Sequence, residues 1–296
     1  MNDVALKKFA ALLATGISLI LIAVKAVAWH LSDSVSLLSS LIDSLVDSFA
    51  SFLNLIAIYH AAKPADLDHR FGHGKIEALS ALGQSLFILG SSVFIFKEAV
   101  ERFIHPQPLE NSGFVIAATI ISIILTAVLV FVQKRVIRKT NSLAIQADHA
   151  HYKTDLFING GILAVIIGDQ YLHIGFLDPF FGAIVGCYIA YASYKILKQS
   201  LAILMDRELS ETERQKIGHI IRSHPKVHGY HLLRTRSSGT GEFIQCHLEL
   251  SGSMSLTEAH IISHEVEQKI REAFPNADII LHQDPAHIIE DHRDGL

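Results

Sequence analysis

An apolar run from Val35 to Ile58, long enough to cross a bilayer, carries two carboxylates in its middle, Asp43 and Asp47, in the string L-I-D-S-L-V-D-S. On a helix, residues four apart share a face. A carboxylate at membrane depth costs about 2.5–3.5 kcal/mol, so such groups turn toward a cavity or an ion pathway rather than lipid. Ser36, Ser40, Ser44 and Ser48 repeat at the same spacing and predict a polar, wet groove beside the aspartates. Placed near the membrane surface, Asp43 and Asp47 would instead cap the helix, a role that Asp33, just before the run, suits better.

The rest of the chain is consistent with a membrane setting. Half of the residues are hydrophobic and only 18% are charged, which predicts a membrane protein with a polar appendage. The net charge is slightly negative, so no nucleic-acid footprint is visible. Cys187 and Cys246 are poorly placed to pair, and two cysteines exclude a Cys₄ zinc module. The first apolar run continues from Phe9 to about Trp29, too long for a signal segment, and is expected to stay as a span. Five more spans follow, at about 35–58, 76–96, 114–132, 143–167 and 180–196. Lys63, Arg70, Lys75, Lys134, Arg135, Arg138 and Lys139 crowd the loops after spans two and four, which predicts both termini on the cytoplasmic side. Span six opens with Asp178-Pro179, a cap and a first-turn proline. Gly182, Gly186 and Ala190 then form a small-residue stripe suited to close helix packing. Lys25, late in span one, is expected to snorkel to the surface and receives no role.

Composition shifts at about Ser200, dividing the chain into a six-transmembrane-helix bundle over 1–199 and a cytoplasmic α+β domain over 200–296. Ser210 with Glu213 and Ser255 with Glu258 are S-x-x-E capping boxes that start two helices. Strands are expected at Tyr230–Thr235, Glu242–Leu250 and Asp278–His282, giving the order αββαβ of a ferredoxin-like, metallochaperone-like sandwich with helices on one side of a sheet.

Span five answers the aspartates of span two. His151 and Asp155 are again four apart, with Asp148 and Asn159 near the same face. Asp43, Asp47, His151 and Asp155 together offer four N/O ligands, the number a tetrahedral Zn²⁺-type site uses. The loop Asp66-x-x-His69-x-x-x-His73 is a second metal candidate, or simply a solvated loop. No H-E-x-x-H motif occurs, so an intramembrane metal- or Asp-dependent hydrolase has little support. A membrane metal sensor that transports nothing is the other alternative.

The paired motifs D-x-x-x-D and H-x-x-x-D on spans two and five of six resemble those of the cation diffusion facilitator family, and the segment F-G-H-G-K at Phe71–Lys75 is similar to the family's loop before span three. The resemblance covers essentially the whole chain and is closest to the bacterial zinc and iron efflux members. It implies a homodimer in the bacterial inner membrane, exchanging a divalent cation for protons, with Zn²⁺ as both cargo and regulatory ligand and no organic cofactor. Cd²⁺ and Fe²⁺ stay open, because an Asp at position 43 resembles members of broader selectivity. It further implies Asp66, His69 and His73 as loop ligands, and a binuclear tail site from His231, His247, His260, His282 and Asp284, bridged by His247 or Asp284. Lys75 and Asp206 resemble a family charge pair joining the membrane and cytoplasmic parts. His151, whose ordinary pKa lies closest to neutrality, is the expected proton carrier. His224, His228, His287 and His292 are expected to be solvated.

Overall fold

The structure, a computed structural model, describes residues 2–32, 35–104, 113–172 and 177–286. Asp33, His287 and His292 lie outside the described residues. The chain forms two compact units, Met1–Leu201 and Ala202–Leu296.

The first unit consists of six long helices: α1 (Asp3–Ser32), α2 (Val35–Ala61), α3 (Lys75–Ile104), α4 (Gly113–Thr140), α5 (Leu143–Leu172) and α6 (Leu177–Leu204). Among the described residues, four stretches are long and apolar enough to cross a membrane: Asp3–Leu31, Ser40–Ala61, Lys75–Lys97 and Ile116–Thr140. Bulky apolar side chains such as Leu19, Phe52, Phe94, Phe131 and Tyr191 point outward. Small and polar ones, including Ala14, Ser48, Asn54, Ala81, Gln133 and Ala144, are buried between helices. This arrangement suits lipid, where burying apolar surface gives helices no driving force to associate and close contact with polar bonding holds them together. Gly186 of α6 follows the same rule, since a Cβ there would lie 3.6 Å from Ile95 and 3.7 Å from the Ser92 carbonyl of α3.

The serine stripe of α2 departs from the wet-groove expectation. Ser44 and Ser48 are buried against α1, where Ser18 donates to Ser48 Oγ at 3.0 Å and Lys25 donates to Ser44 Oγ at 2.7 Å. A helix turns about 100° per residue, so serines one position after the aspartates face α1 while the aspartates face α5. At one end of the unit Lys7 of α1 and Glu77 of α3 form a buried ion pair at 2.9 Å, and Ser142, at the start of α5, donates to the other Glu77 oxygen. Lys7 and Glu77 thereby tie together three segments distant in sequence.

The second unit comprises α7 (Glu211–Arg222), β1 (Gly229–Ser237), β2 (Glu242–Leu250), α8 (Leu256–Ala273) and β3 (Asp278–Pro285). Both capping boxes are formed, at Ser210–Glu213 and Ser255–Glu258. The sheet order is β1-β2-β3, with β1 antiparallel and β3 parallel to β2. Ile244, Cys246, Leu248 and Leu250 of β2 pack with Ile217 and Ile221 of α7 and Ile262, Val266 and Ile270 of α8. Because strand side chains alternate, His247 and Glu249 point away from that core. Burial pushes the Cys246 thiol up to about 12, which leaves it a core residue without thiolate chemistry at neutral pH.

Candidate metal centres

The aspartate and histidine motifs meet between α2 and α5. His151 Nε2 lies 2.9 Å from Asp47 Oδ1 and 3.7 Å from Asp155 Oδ2. One ligand atom from each of Asp47, His151 and Asp155 falls within 4.8 Å of the others. His151 Nε2 is buried, and Asp47 is the nearer of the two carboxylates to it. A ring nitrogen within ion-pair distance of two carboxylates brings one imidazole and two acidic groups to a single point between the helices.

The register is legible down the whole seam. Asp47 faces His151, Ser51 donates to Asp148 at 3.1 Å and meets Tyr152 Oη at 2.8 Å, and Asn54 donates to the Ala144 carbonyl at 3.2 Å. Numbers rise along α2 as they fall along α5, the signature of antiparallel helices in contact. Asp148 is fully engaged, accepting from Gln133 of α4 at 2.7 Å as well as from Ser51, and stands one turn from the ligands. Asn159 turns back to its own helix and donates to the Asp155 carbonyl.

Asp43 does not join the converging trio. It sits four residues from Asp47, about 6 Å along the helix axis, and its side chain is more exposed. Its charge still acts on Asp155. Lys25 corrects the snorkelling expectation: its ammonium turns inward to α2, donating to Ser44 Oγ at 2.7 Å and to the Ser40 carbonyl at 3.2 Å. A lysine inside an apolar run was the available signal; which way it faced depended on helix packing.

In the loop between α2 and α3, Asp66, His69 and His73 converge with ligand atoms within 4.8 Å. Asp66 Oδ1 accepts the backbone N–H groups of His69 at 2.7 Å and Asp68 at 3.0 Å, and its other oxygen lies 3.2 Å from His73 Nε2. The His69 N–H bond, first among the causes, holds the Asp66 carboxyl below the usual range. Gly72, at φ 78°, reverses the chain so that the His73 ring comes to 4.5 Å from that of His69.

In the second unit the strand register sets His231 opposite His247, and His247 opposite His282, in one row across the sheet. Asp284 lies beside the row: Oδ2 is 2.7 Å from His247 Nδ1 and 3.2 Å from His231 Nε2, and Oδ1 is 3.1 Å from His282 Nε2. Two carboxylate oxygens shared among three imidazoles suit Asp284 to bridge two ions. His282 and Asp284 lie inside β3, which runs three residues beyond the expected end because β2 continues to pair with it as far as Pro285. A bulge after His231, with Leu232 at φ 49°, keeps that histidine on the shared face. His231 Nδ1 also meets Glu249 at 3.0 Å, a contact of the kind that orients a ligating imidazole and one the sequence motifs did not single out.

His260 stands apart from this row. It is exposed on α8, stacked on His264 at 6.5 Å, and α8 covers the opposite face of the sheet from the histidine row. His224 also departs from expectation, being buried and paired with Glu265 at 2.8 Å. His228 is exposed. Asp206, of the expected pair with Lys75, accepts from Arg236 at 3.1 Å.

Burial opposes ionisation of Asp284, but the His247 hydrogen bond and the charges of His282, His247 and His231 outweigh it and hold the carboxyl below its ordinary value. A depressed folded-state pKa adds stability above the unfolded value, about 3.9, that is lost as pH falls through the lower folded value. Acid titration of the metal-free protein, followed by fluorescence or circular dichroism of the second unit, is expected to show a destabilising step below about pH 4. Asp284→Asn should flatten that step; an unchanged acid profile would contradict this role.

Residues 11–205 match the family described as cation efflux transmembrane domain, and residues 209–286 match the cation efflux protein cytoplasmic domain. The chain belongs to the cation efflux family. Its relatives include the cation-efflux pump FieF of Serratia proteamaculans, 43% identical over 98% of this chain and 96% of that protein. The cation-efflux pump FieF of Shewanella oneidensis is 43% identical over 95% of each chain. The metal-bound C-terminal domain of the CzcD transporter from Thermotoga maritima matches 28% of this chain and 100% of its own, with 26% identity and a TM-score of 0.26. As a cation efflux protein with a helical transmembrane region, the chain is a transporter rather than an enzyme, and the hydrolase alternative is set aside.

Proposed function

We propose that this cation efflux protein exports a divalent transition metal, Zn²⁺ foremost with Cd²⁺ and Fe²⁺ also accepted, in exchange for protons. The observation that carries the reading is the convergence of Asp47, His151 and Asp155 between two helices of the membrane unit. Asp43, one turn away, is the reserve fourth ligand. Metal needs ionised carboxylates and a neutral imidazole, so metal and protons compete for the same atoms and antiport needs no separate proton wire. Mixed N/O donors favour Zn²⁺-like ions over Mg²⁺ or Ca²⁺, which prefer all-oxygen shells. Naming of the relatives as efflux pumps supports the outward direction.

In this reading α1 to α6 are six spans of a bacterial inner-membrane protein. The Lys- and Arg-rich loops, after α2 and α4, face the cytoplasm with both termini. Helices rock around the site to alternate its access. The protein works as a homodimer in the lipid bilayer, and a Lys75–Asp206 charge pair acts as a hinge between its two parts. Asp66, His69 and His73 collect cytoplasmic metal. His231, His247, His282 and Asp284 hold resident Zn²⁺ in the tail; their imidazole nitrogens and carboxylate oxygens are the donor types that zinc takes. Held by these four residues, Zn²⁺ would stiffen the domain and bias the membrane part toward transport.

The test is Zn²⁺ accumulation in sealed vesicles containing the intact chain. Wild type should accumulate Zn²⁺ and Asp155→Ala should not, while His231→Ala/His247→Ala should need several-fold more Zn²⁺ for the same rate. Wild-type binding without accumulation would favour a sensor, and flux indifferent to Asp155 would move the pathway elsewhere. Equal activation in the tail variant would end the regulatory role.

A further inference from the structure

The two carboxylates of the converging trio, with a neutral His151, balance one divalent cation. Asp43, one turn along α2, adds a third negative charge to the same acidic stripe, and that charge is left uncompensated in a low-dielectric setting. Uncompensated charge at membrane depth is expensive and is normally paired. The balancing charge stands on α1. Lys25 is half-buried and reaches across to α2, where Ser44 Oγ (2.7 Å) and the Ser40 carbonyl (3.2 Å) accept from its ammonium. Those two acceptors are one helical turn apart and flank Asp43 in sequence, so they hold the ammonium beside the acidic stripe. From there its charge bears on Asp155, Asp47 and Asp43. The Ser18–Ser48 bond at 3.0 Å fixes the same α1–α2 seam two turns along α1.

We propose that Lys25 is the fixed counter-ion of the transport site, held by Ser40 and Ser44 so that three carboxylates, one lysine and one divalent cation together are electroneutral. Lys25 is a positioning residue and not a ligand. Its charge tempers the pull of three carboxylates so that a divalent ion binds and still leaves. Without it the doubly charged ion gains more attraction than a competing proton does, since Coulomb energy scales with the product of charges. Removing a residue that only packs the helices would loosen the site; removing this charge tightens it.

The inference rests on the transport reading, and a binding measurement separates the two. In the intact chain with the loop and tail ligands replaced by Ala, Zn²⁺ affinity is measured by chelator competition, alongside KM and kcat for vesicle flux. Lys25→Met should tighten Zn²⁺ binding on the order of tenfold, lowering KM and kcat together. Lys25→Arg, which keeps the charge, should stay near wild type. Lys25→Gln, which keeps a donor for Ser40 and Ser44, serves as the neutral variant if the Met chain does not fold. Weaker or unchanged affinity in the neutral variants, or an Arg variant that behaves like them, would overturn the proposal. Wild type that binds Zn²⁺ at this site without moving it would defeat the transport reading and leave the affinity comparison to decide the role of Lys25.

Discussion

Asp47→Ala is expected to weaken Zn²⁺ binding at the membrane site by at least about 100-fold and to abolish flux, with helical content and tail metal binding unchanged. Loss of a residue that merely orients a ligand already costs 10–100-fold in metal affinity, and Asp47 is itself a candidate ligand. Its Oδ1 is the closest carboxylate oxygen to His151 Nε2, at 2.9 Å, and it holds the α2 side of the site. Without it Asp155 and His151 remain on one helix, two donors four residues apart, and no member of the converging trio is left on α2. Asp43→Ala should cost less, because Asp43 stands outside the converging trio. Equal losses for the two substitutions would mean that the metal-bound arrangement draws Asp43 in fully. Binding within a few-fold of wild type in Asp47→Ala would remove this residue from the site.

Lys7→Met is expected to destabilise the membrane unit by about 3–5 kcal/mol, the cost of leaving one partner of a buried ion pair uncompensated. Glu77 is almost fully buried, and among the described residues its two oxygens meet Lys7 and Ser142. The double variant Lys7→Met/Glu77→Met should recover most of that loss, since apolar side chains of similar volume replace a buried pair at little cost. Thermal unfolding in detergent, read as a shift in melting temperature for the two single variants and the double, checks this. Additive losses in the double variant would mean that the pair is not coupled and that each side chain acts through packing alone.

Much of the candidate sites' convergence is legible in the sequence, because its signal is local. Asp47, His151 and Asp155 carry i,i+4 spacing inside apolar runs, and a helix turns that spacing into a shared face without help from the rest of the fold. Asp66, His69 and His73 lie within eight residues of one another, close enough for one loop to gather them. Quantities set by how helices rotate against each other were not legible. The serine stripe next to the aspartates read as a wet groove, yet the 100° step between neighbouring residues sends it to α1. Lys25 looked like a snorkelling side chain because its partners, Ser40 and Ser44, come from another helix. Lys7 and Glu77 are 70 residues apart, and no pattern links them. In the tail, Gln283-Asp284-Pro285 read as lying beyond a strand that ends at His282, while pairing with β2 extends the strand to Pro285. Period-2 alternation on β2 puts His247 on the face away from the core that α8 covers, which is why His260 of α8 lies apart from the row within one chain.

The central claim is that one set of atoms between α2 and α5 holds metal or protons but not both. Zn²⁺ flux in sealed proteoliposomes under an imposed pH gradient, with a trapped pH dye recorded in parallel, tests it most directly. The account predicts that Zn²⁺ moves opposite to protons, reverses when the gradient is reversed, and that both signals vanish together in Asp155→Ala. Zn²⁺ flux that ignores the gradient, or a proton signal that persists in Asp155→Ala while Zn²⁺ flux is lost, would contradict it.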